Sequence, residues 1–182
     1  MRISRILPVV GIVFSIFCFT TGSAYSQDVP LKVAVVNFQK VMAVAAAPKG
    51  IREQVKTIRD KYREEVQKED AALQTAQQAL AQKQAILSPD AFKEERRKFD
   101  QQLRDVQKRV QQKKLNLQKA QNEALEKVNS ALRDVILAYS AEQGYTLVLR
   151  RVNTVVVADK YDISDAIIKR LNEKVPSVKV FK

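Results

Sequence analysis

From Lys49 to Ala141 the chain contains a single glycine and a single proline, Gly50 and Pro89, and otherwise runs mainly in Ala, Gln, Lys, Glu and Leu. Residues of this kind lose little on entering a helix, so the stretch is committed to long helix rather than sheet or loop. Fourteen glutamines and few large apolar side chains make it too polar to wrap a globular core. What apolar content exists is periodic. Ile51, Val55, Ile58, Tyr62, Val66, Leu73 and Leu80 recur at helical spacing before the proline, and Phe99, Leu103, Val106, Val110, Leu117, Ala124, Val128 and Leu132 after it. Each series is a thin stripe, suited to one coiled-coil seam rather than to the broad face of a core helix. Around Ala71 to Ala85 the stripe is mostly alanine, which permits close approach but buries little area.

The proline decides how the two stripes meet. Ser88 is a good N-cap, Pro89 fits a first helical position where its missing N–H costs nothing, and Asp90 suits the positive end of the dipole. A new helix therefore starts there. The pattern predicts an antiparallel hairpin of residues 50–87 and 90–141, with a turn near 87–90 and a first helix of roughly 55 Å, in preference to one rod kinked at the proline.

The flanks have a different character. "LKVAVVNF" (31–38) is a β-branched run of the kind a buried strand shows. "YTLVLRRVNTVVVADK" (145–160) reads as two strands with a reversal near Asn153, and Gly144 suits the C-cap of the helix before it. "DISDAIIKRLNEK" (162–174) is a short amphipathic helix with Asp162 and Ser164 as cap candidates and Ile163, Ile167, Ile168 and Leu171 as its apolar stripe. The expected class is α+β: a small β-sheet body made of residues 27–49 and 142–182, with the helical-hairpin arm, 50–141, inserted. So small a body is marginal alone. Its strands are apolar enough to be buried on both faces, which predicts that Val33, Val35, Leu147, Leu149, Val155 and Val157 form a subunit interface.

Arg2 and Arg5 precede an apolar run from Ile6 to Phe19, too short to span a bilayer comfortably, which ends in small residues. This predicts a secretory signal peptide over 1–26, cut after Ser26 or after Ala24; an uncleaved anchor is the alternative. The chain's one cysteine, Cys18, lies inside that run, so the exported chain would carry no disulfide. Removing Arg2 and Arg5 leaves 30 basic residues against 20 acidic ones, a net charge of +10 that points to an anionic partner. No zinc spacing and no interleaved basic and aromatic strand favours nucleic acid.

Chemistry is sparse. There is no histidine, no cysteine past the leader, no phosphate-cradling glycine loop and no motif that would activate a serine. No catalytic, cofactor or metal residue is therefore expected. Asp159, Asp162 and Asp165 form the densest acidic cluster, for which helix capping is the simpler role than Ca²⁺ ligation. The arm is more informative. Between Arg96 and Lys119 stand nine cations, Arg96, Arg97, Lys98, Arg104, Lys108, Arg109, Lys113, Lys114 and Lys119, against Asp100 and Asp105. Charge of one sign over roughly 35 Å of helix is more than in-helix pairing accounts for, and marks these nine as candidate binding residues.

"KVAVVNFQKVM" (32–42), the polar helical insert, "GYTLVL" (144–149) and "VVVADKYDISDAIIKRLN" (155–172) together resemble the Skp (OmpH) family of periplasmic chaperones. The specific likeness lies in the two flanks; the insert matches in character. Where the family often has Asp-Ile-Thr, this chain has Asp162, Ile163 and Ser164, and "PSVKVFK" after the last helix has no counterpart to assign it. The resemblance implies a homotrimer whose bodies form a small β-barrel, with three hairpins around a cavity that holds unfolded outer-membrane β-barrel proteins without ATP. The cationic run would draw in such a client, and would also suit lipopolysaccharide phosphates or an anionic membrane surface. No segment of the insert is apolar enough to make a deep pocket. A structural coiled-coil adaptor, docking on one folded partner, is the competing expectation.

Overall fold

The computed structural model describes residues 30–181; the expected signal peptide and its cleavage site lie outside the described residues. A four-residue strand, β1 (Val33–Val36), leads into helix α1 (Phe38–Val44) and then into α2 (Ala46–Gln84). A turn separates α2 from α3 (Pro89–Gln143), which delivers the chain to β2 (Leu147–Arg150), and α4 (Ser164–Lys174) follows after an irregular link. β1 and β2 pair in parallel, Val33 opposite Leu147 and Val36 opposite Arg150. Parallel neighbours need a crossover between them. Here the crossover is the whole of α1 to α3.

The hairpin forms where the proline places it. The Ser88 side chain accepts from the Ala91 N–H at 3.4 Å, Pro89 occupies the first turn, and α2 and α3 pack against each other. At 39 and 55 residues, the helices run about 58 and 82 Å. Gly144 adopts φ 68°, the left-handed conformation expected of it, and turns the end of α3 into β2.

The core lies at the root of this arm. Ala34 and Val36 of β1, Val41 of α1, Ile51 and Val55 of α2, and Ile167 and Leu171 of α4 close around Leu117 to Val135 of α3. Packing is thus continuous from the sheet into the arm, with no break at 49/50 or 141/142 where the sequence composition changes. α4 is tied to α3 by Arg170, which pairs with Glu142 at 2.6 Å and lies 4.8 Å from the Tyr139 ring centre.

Three local features differ from expectation. α1 and α2 are separate helices, broken at Ala45, and the first N–H of α2 is satisfied by α4: Ala46 N–H donates to Asn172 Oδ1 at 2.8 Å. The predicted second strand after Asn153 is absent. Residues Arg151–Asn153 form a 3-10 turn, and the backbone at Thr154 and Ala158 is extended without a ladder partner. The turn carries the chain away from β2 instead of folding it back, leaving Val155 97% and Val156 87% exposed. The tail after Pro176, unassigned from sequence, lies along α2, where the Gln54 amide donates to Val178 O at 2.8 Å and accepts from Val180 N–H at 3.1 Å.

Ser164 is the third difference. It is not the cap of α4 but its first residue, fully buried, and its hydroxyl accepts the Asn37 N–H at 2.8 Å. Asp162 supplies the cap, accepting from Ser164 N–H at 2.8 Å. Asn37 itself caps α1 by accepting from Lys40 N–H at 3.0 Å, so one hydroxyl fixes the point where β1, α1 and α4 meet. Ser164→Ala leaves the Asn37 N–H without its acceptor and is expected to cost about 1–3 kcal/mol in denaturant unfolding followed by circular dichroism. Ser164→Thr, which keeps the hydroxyl, is expected to cost less; equal loss from both would show that the hydroxyl is not what matters.

Candidate functional site

Along the arm, the less exposed positions recur in steps of three and four: Ile58, Tyr62, Val66, Glu69, Leu73, Ala76 and Leu80 on α2, and Glu95, Phe99, Leu103, Val106, Val110, Lys113 and Leu117 on α3. The seam is regular in spacing but mixed in chemistry. Beyond Val55 no residue of α2 is buried, and on α3 only Val106 is buried on the tip side of Leu117. Charged side chains fill places that a stable coiled coil gives to leucine.

Those charges organise the cationic run in a way that the sequence did not disclose. Lys113 pairs with Glu65 across the hairpin and stands 5.4 Å from the Tyr62 ring centre; Arg109 reaches Glu69 at 3.3 Å. The Glu65 bond holds Lys113 above its ordinary pKa despite partial burial. Within α3, Arg97 pairs with Glu94 at 2.9 Å, Lys98 with Glu95 at 2.8 Å and Lys119 with Glu123 at 4.0 Å. Five of the nine candidates therefore have carboxylate partners, two of them on α2, the helix that counting charges along α3 alone leaves out. Arg96, Arg104, Lys108 and Lys114 have none among the described residues; Arg104 donates instead to Gln101 Oε1 at 2.9 Å. All four side chains are exposed.

The apolar candidates divide too. Leu147 is 41% exposed on β2, Val33, Leu149 and Val157 are half-buried, and Val155 projects from the extended link. Val35 differs: it is 3% exposed within its own chain, where the turn before α4 covers that edge of β1 through a bridge between Val35 and Asp162. Its side chain is already buried within its own chain, whereas the other five keep exposed area. Val156 and Leu31, both strongly exposed, were not singled out from sequence. Of the three aspartates, Asp162 caps α4 and Asp165 pairs with Lys40 at 2.6 Å. No group of three or more potential metal-ligating side chains occurs among the described residues.

The family described as "Outer membrane protein (OmpH-like)" matches residues 32–171. The chain belongs to this OmpH-like family. The match begins at β1 and ends within α4, so the arm and both flanks lie inside it while the Gln54-bound tail lies beyond. No curated protein matches. Among solved structures, a crystal structure of a candidate outer membrane chaperone (OmpH-like) from Caulobacter crescentus CB15 is similar at 19% identity and a TM-score of 0.76, covering 82% of this chain and 88% of that one. At that identity the likeness shows a shared OmpH-like fold: long helical arms on a small two-stranded sheet.

The tip of the arm is held by charge rather than by core. Lys83 at the end of α2 and Lys98 on α3 both bond Glu95, and these bonds, Lys83 first, pull its carboxyl down to about 2. A carboxylate held low in this way contributes stability in full above the ordinary glutamate range, near pH 4.3, and loses it progressively as pH falls from there through about 2. Acid titration followed by carboxyl NMR is expected to place Glu95 well below the ordinary glutamate range. Replacing Lys83 and Lys98 by methionine is expected to return it towards the ordinary range; an ordinary midpoint in the unmodified chain would mean that the tip cluster does not form.

Proposed function

We propose that the chain is an ATP-independent holdase of the periplasm, exported by the predicted signal peptide, which assembles as a homotrimer and encloses unfolded outer-membrane β-barrel proteins between its arms. The observation that carries this reading is the arm's surface: four cations without carboxylate partners on an exposed helix whose seam is too polar for a tight folded dock. Long-range attraction draws an acidic unfolded chain in, and scattered apolar side chains offer footholds that are individually weak. Weak contacts leave the client mobile, and release needs only a better-buried state elsewhere.

Assembly is supported by the body. Val155 and Val156 stand almost fully exposed on an unpaired link that is extended at both its ends, Thr154 and Ala158, and two strands of four residues cannot alone make a closed sheet. An extended β-branched segment with no ladder partner is a template for pairing with another chain. In a trimer, such pairing would cover Leu147, Val155 and Val156 and set three arms around a shared space. The similar protein from Caulobacter crescentus is described as an outer membrane chaperone, which agrees with this reading. Lipopolysaccharide or an anionic membrane surface would meet the same free cations.

A structural adaptor is the competing reading, and the even three-and-four spacing of the seam favours it. Suppression of aggregation of a urea-unfolded outer-membrane barrel protein, at stoichiometric trimer, separates the two; an adaptor has no effect there. Neutralising Arg96, Arg104, Lys108 and Lys114 together is expected to weaken client binding about tenfold or more and flatten its salt dependence. Neutralising the paired set, Arg97, Lys98, Arg109 and Lys113, should do less. Unchanged affinity in the first variant would remove electrostatic capture, and a monomer by light scattering would remove the enclosure.

A further inference from the structure

Near the middle of the hairpin, α2 and α3 leave an open groove of about 630 Å³ on one side of the seam, within the range of roughly 300–1,000 Å³ common to ligand clefts. Neither stripe alone predicts it, because it exists only where the two helices face each other. Its floor is apolar: Tyr62 and Val66 from α2, Val110 and Leu117 from α3. Lys113, bonded to Glu65, stands 5.4 Å from the centre of the Tyr62 ring. Arg59 and Arg63 rim one side and Lys114 the other, and no carboxylate lines the groove. Arg63 is bonded to Asp60 at 3.2 Å; Arg59 and Lys114 have no ion partner among the described residues. Gln67, Gln118 and Gln121 complete the rim.

We propose that this groove is a discrete docking site for unfolded polypeptide, taking a short segment in which large apolar side chains are flanked by aspartate or glutamate. The floor accepts the apolar side chains, and Arg59, Arg63 and Lys114 meet the flanking carboxylates, for which the groove has no acid of its own. The rim glutamines distinguish polypeptide from lipid. Each amide both donates and accepts, matching the alternating N–H and C=O of a peptide backbone, whereas an acyl chain offers nothing to bond. The site deepens the holdase reading and rests on it: within a diffuse cationic arm, it joins an apolar floor to cations without carboxylate partners, so it would select which part of a client is held.

The test uses the full chain and a fluorescent synthetic peptide, unstructured alone, carrying two phenylalanines flanked by aspartates, with an isosteric peptide bearing asparagine in their place. Anisotropy is expected to show binding of the acidic peptide and binding weakened about tenfold for the asparagine peptide. Arg59→Glu combined with Lys114→Glu, both exposed and unpaired, should weaken the acidic peptide at least as much, and Val66→Lys should do the same. Leu115→Lys, exposed on α3 outside the groove, should leave it unchanged, and circular dichroism confirms helix content in each variant. Equal peptide affinity in the unmodified chain and in the Arg59→Glu, Lys114→Glu variant would overturn the site. So would displacement of the peptide by phosphatidylglycerol vesicles that bind at the same variants, which would assign the groove to lipid. Aggregation of unfolded barrel protein is followed in parallel. Loss of the groove with suppression intact removes this proposal alone, while failure to suppress in the unmodified chain removes the holdase reading beneath it.

Discussion

The rest of the structure depends on the parallel pairing of two strands at the ends of one long excursion. Val33–Val36 and Leu147–Arg150 are brought together across residues 37–146. Closing a loop of about 110 residues costs on the order of 4 kcal/mol in chain entropy, which the burial of two or three large side chains at about 1.5–3 kcal/mol each offsets. The root supplies more than that number: Ile51, Val128, Leu132, Ile167 and Leu171 are essentially inaccessible to solvent. The pairing fixes the two ends of the excursion, and the arm's root adds the burial that keeps them together. This is why α3 continues inward past the end of α2's packing to reach β2.

From that root, cohesion declines along the arm. Near the body, both helices bury apolar residues; past Leu117 and Val55 the seam passes, Val106 apart, to half-exposed side chains, and at the tip Lys83 pairs with Glu95 across it while Lys98 bonds the same carboxylate. Apolar burial is insensitive to salt, whereas exposed ion pairs are screened and contribute little. The root is therefore rigid in the sense that opening it exposes core. The tip can open at small cost, as segments with few buried contacts do. A holder of irregular clients needs both properties, a fixed base and walls that yield.

Much of this was legible in the sequence, and the failures share a cause. Ser88, Pro89 and Gly144 act through their own backbone and immediate neighbours, so the turn and the exit from α3 could be placed from local chemistry. The break at Ala45 could not, because its cap comes from Asn172 in another helix. Ser164 looked like a cap because hydroxyls favour that role, yet its hydroxyl serves Asn37, distant in sequence. The three consecutive valines after Asn153, Val155 to Val157, carry strand propensity, but within one chain no ladder lies beside them, and propensity without a partner does not make a sheet. The cross-hairpin partners of the α3 cations were illegible for the same reason: Glu65 and Glu69 lie on the opposite helix and enter only once the hairpin is folded.

Those cross-hairpin pairs bear on how a cationic wall can remain both stable and receptive. An exposed ion pair is worth roughly 0–1 kcal/mol, so Glu65 and Glu69 hold Lys113 and Arg109 only loosely. In the absence of any guest, they reduce the repulsion that a bare row of cations would impose on the second helix. A carboxylate arriving from outside can replace them at little cost, because one weak pair is exchanged for another. The unpaired cations set the long-range field, and the paired ones add short-range contacts once a guest is near. Under the proposed function, affinity is thereby spread over many exchangeable bonds. No single contact is strong enough to trap the client, and collectively they are enough to keep it from meeting another unfolded chain.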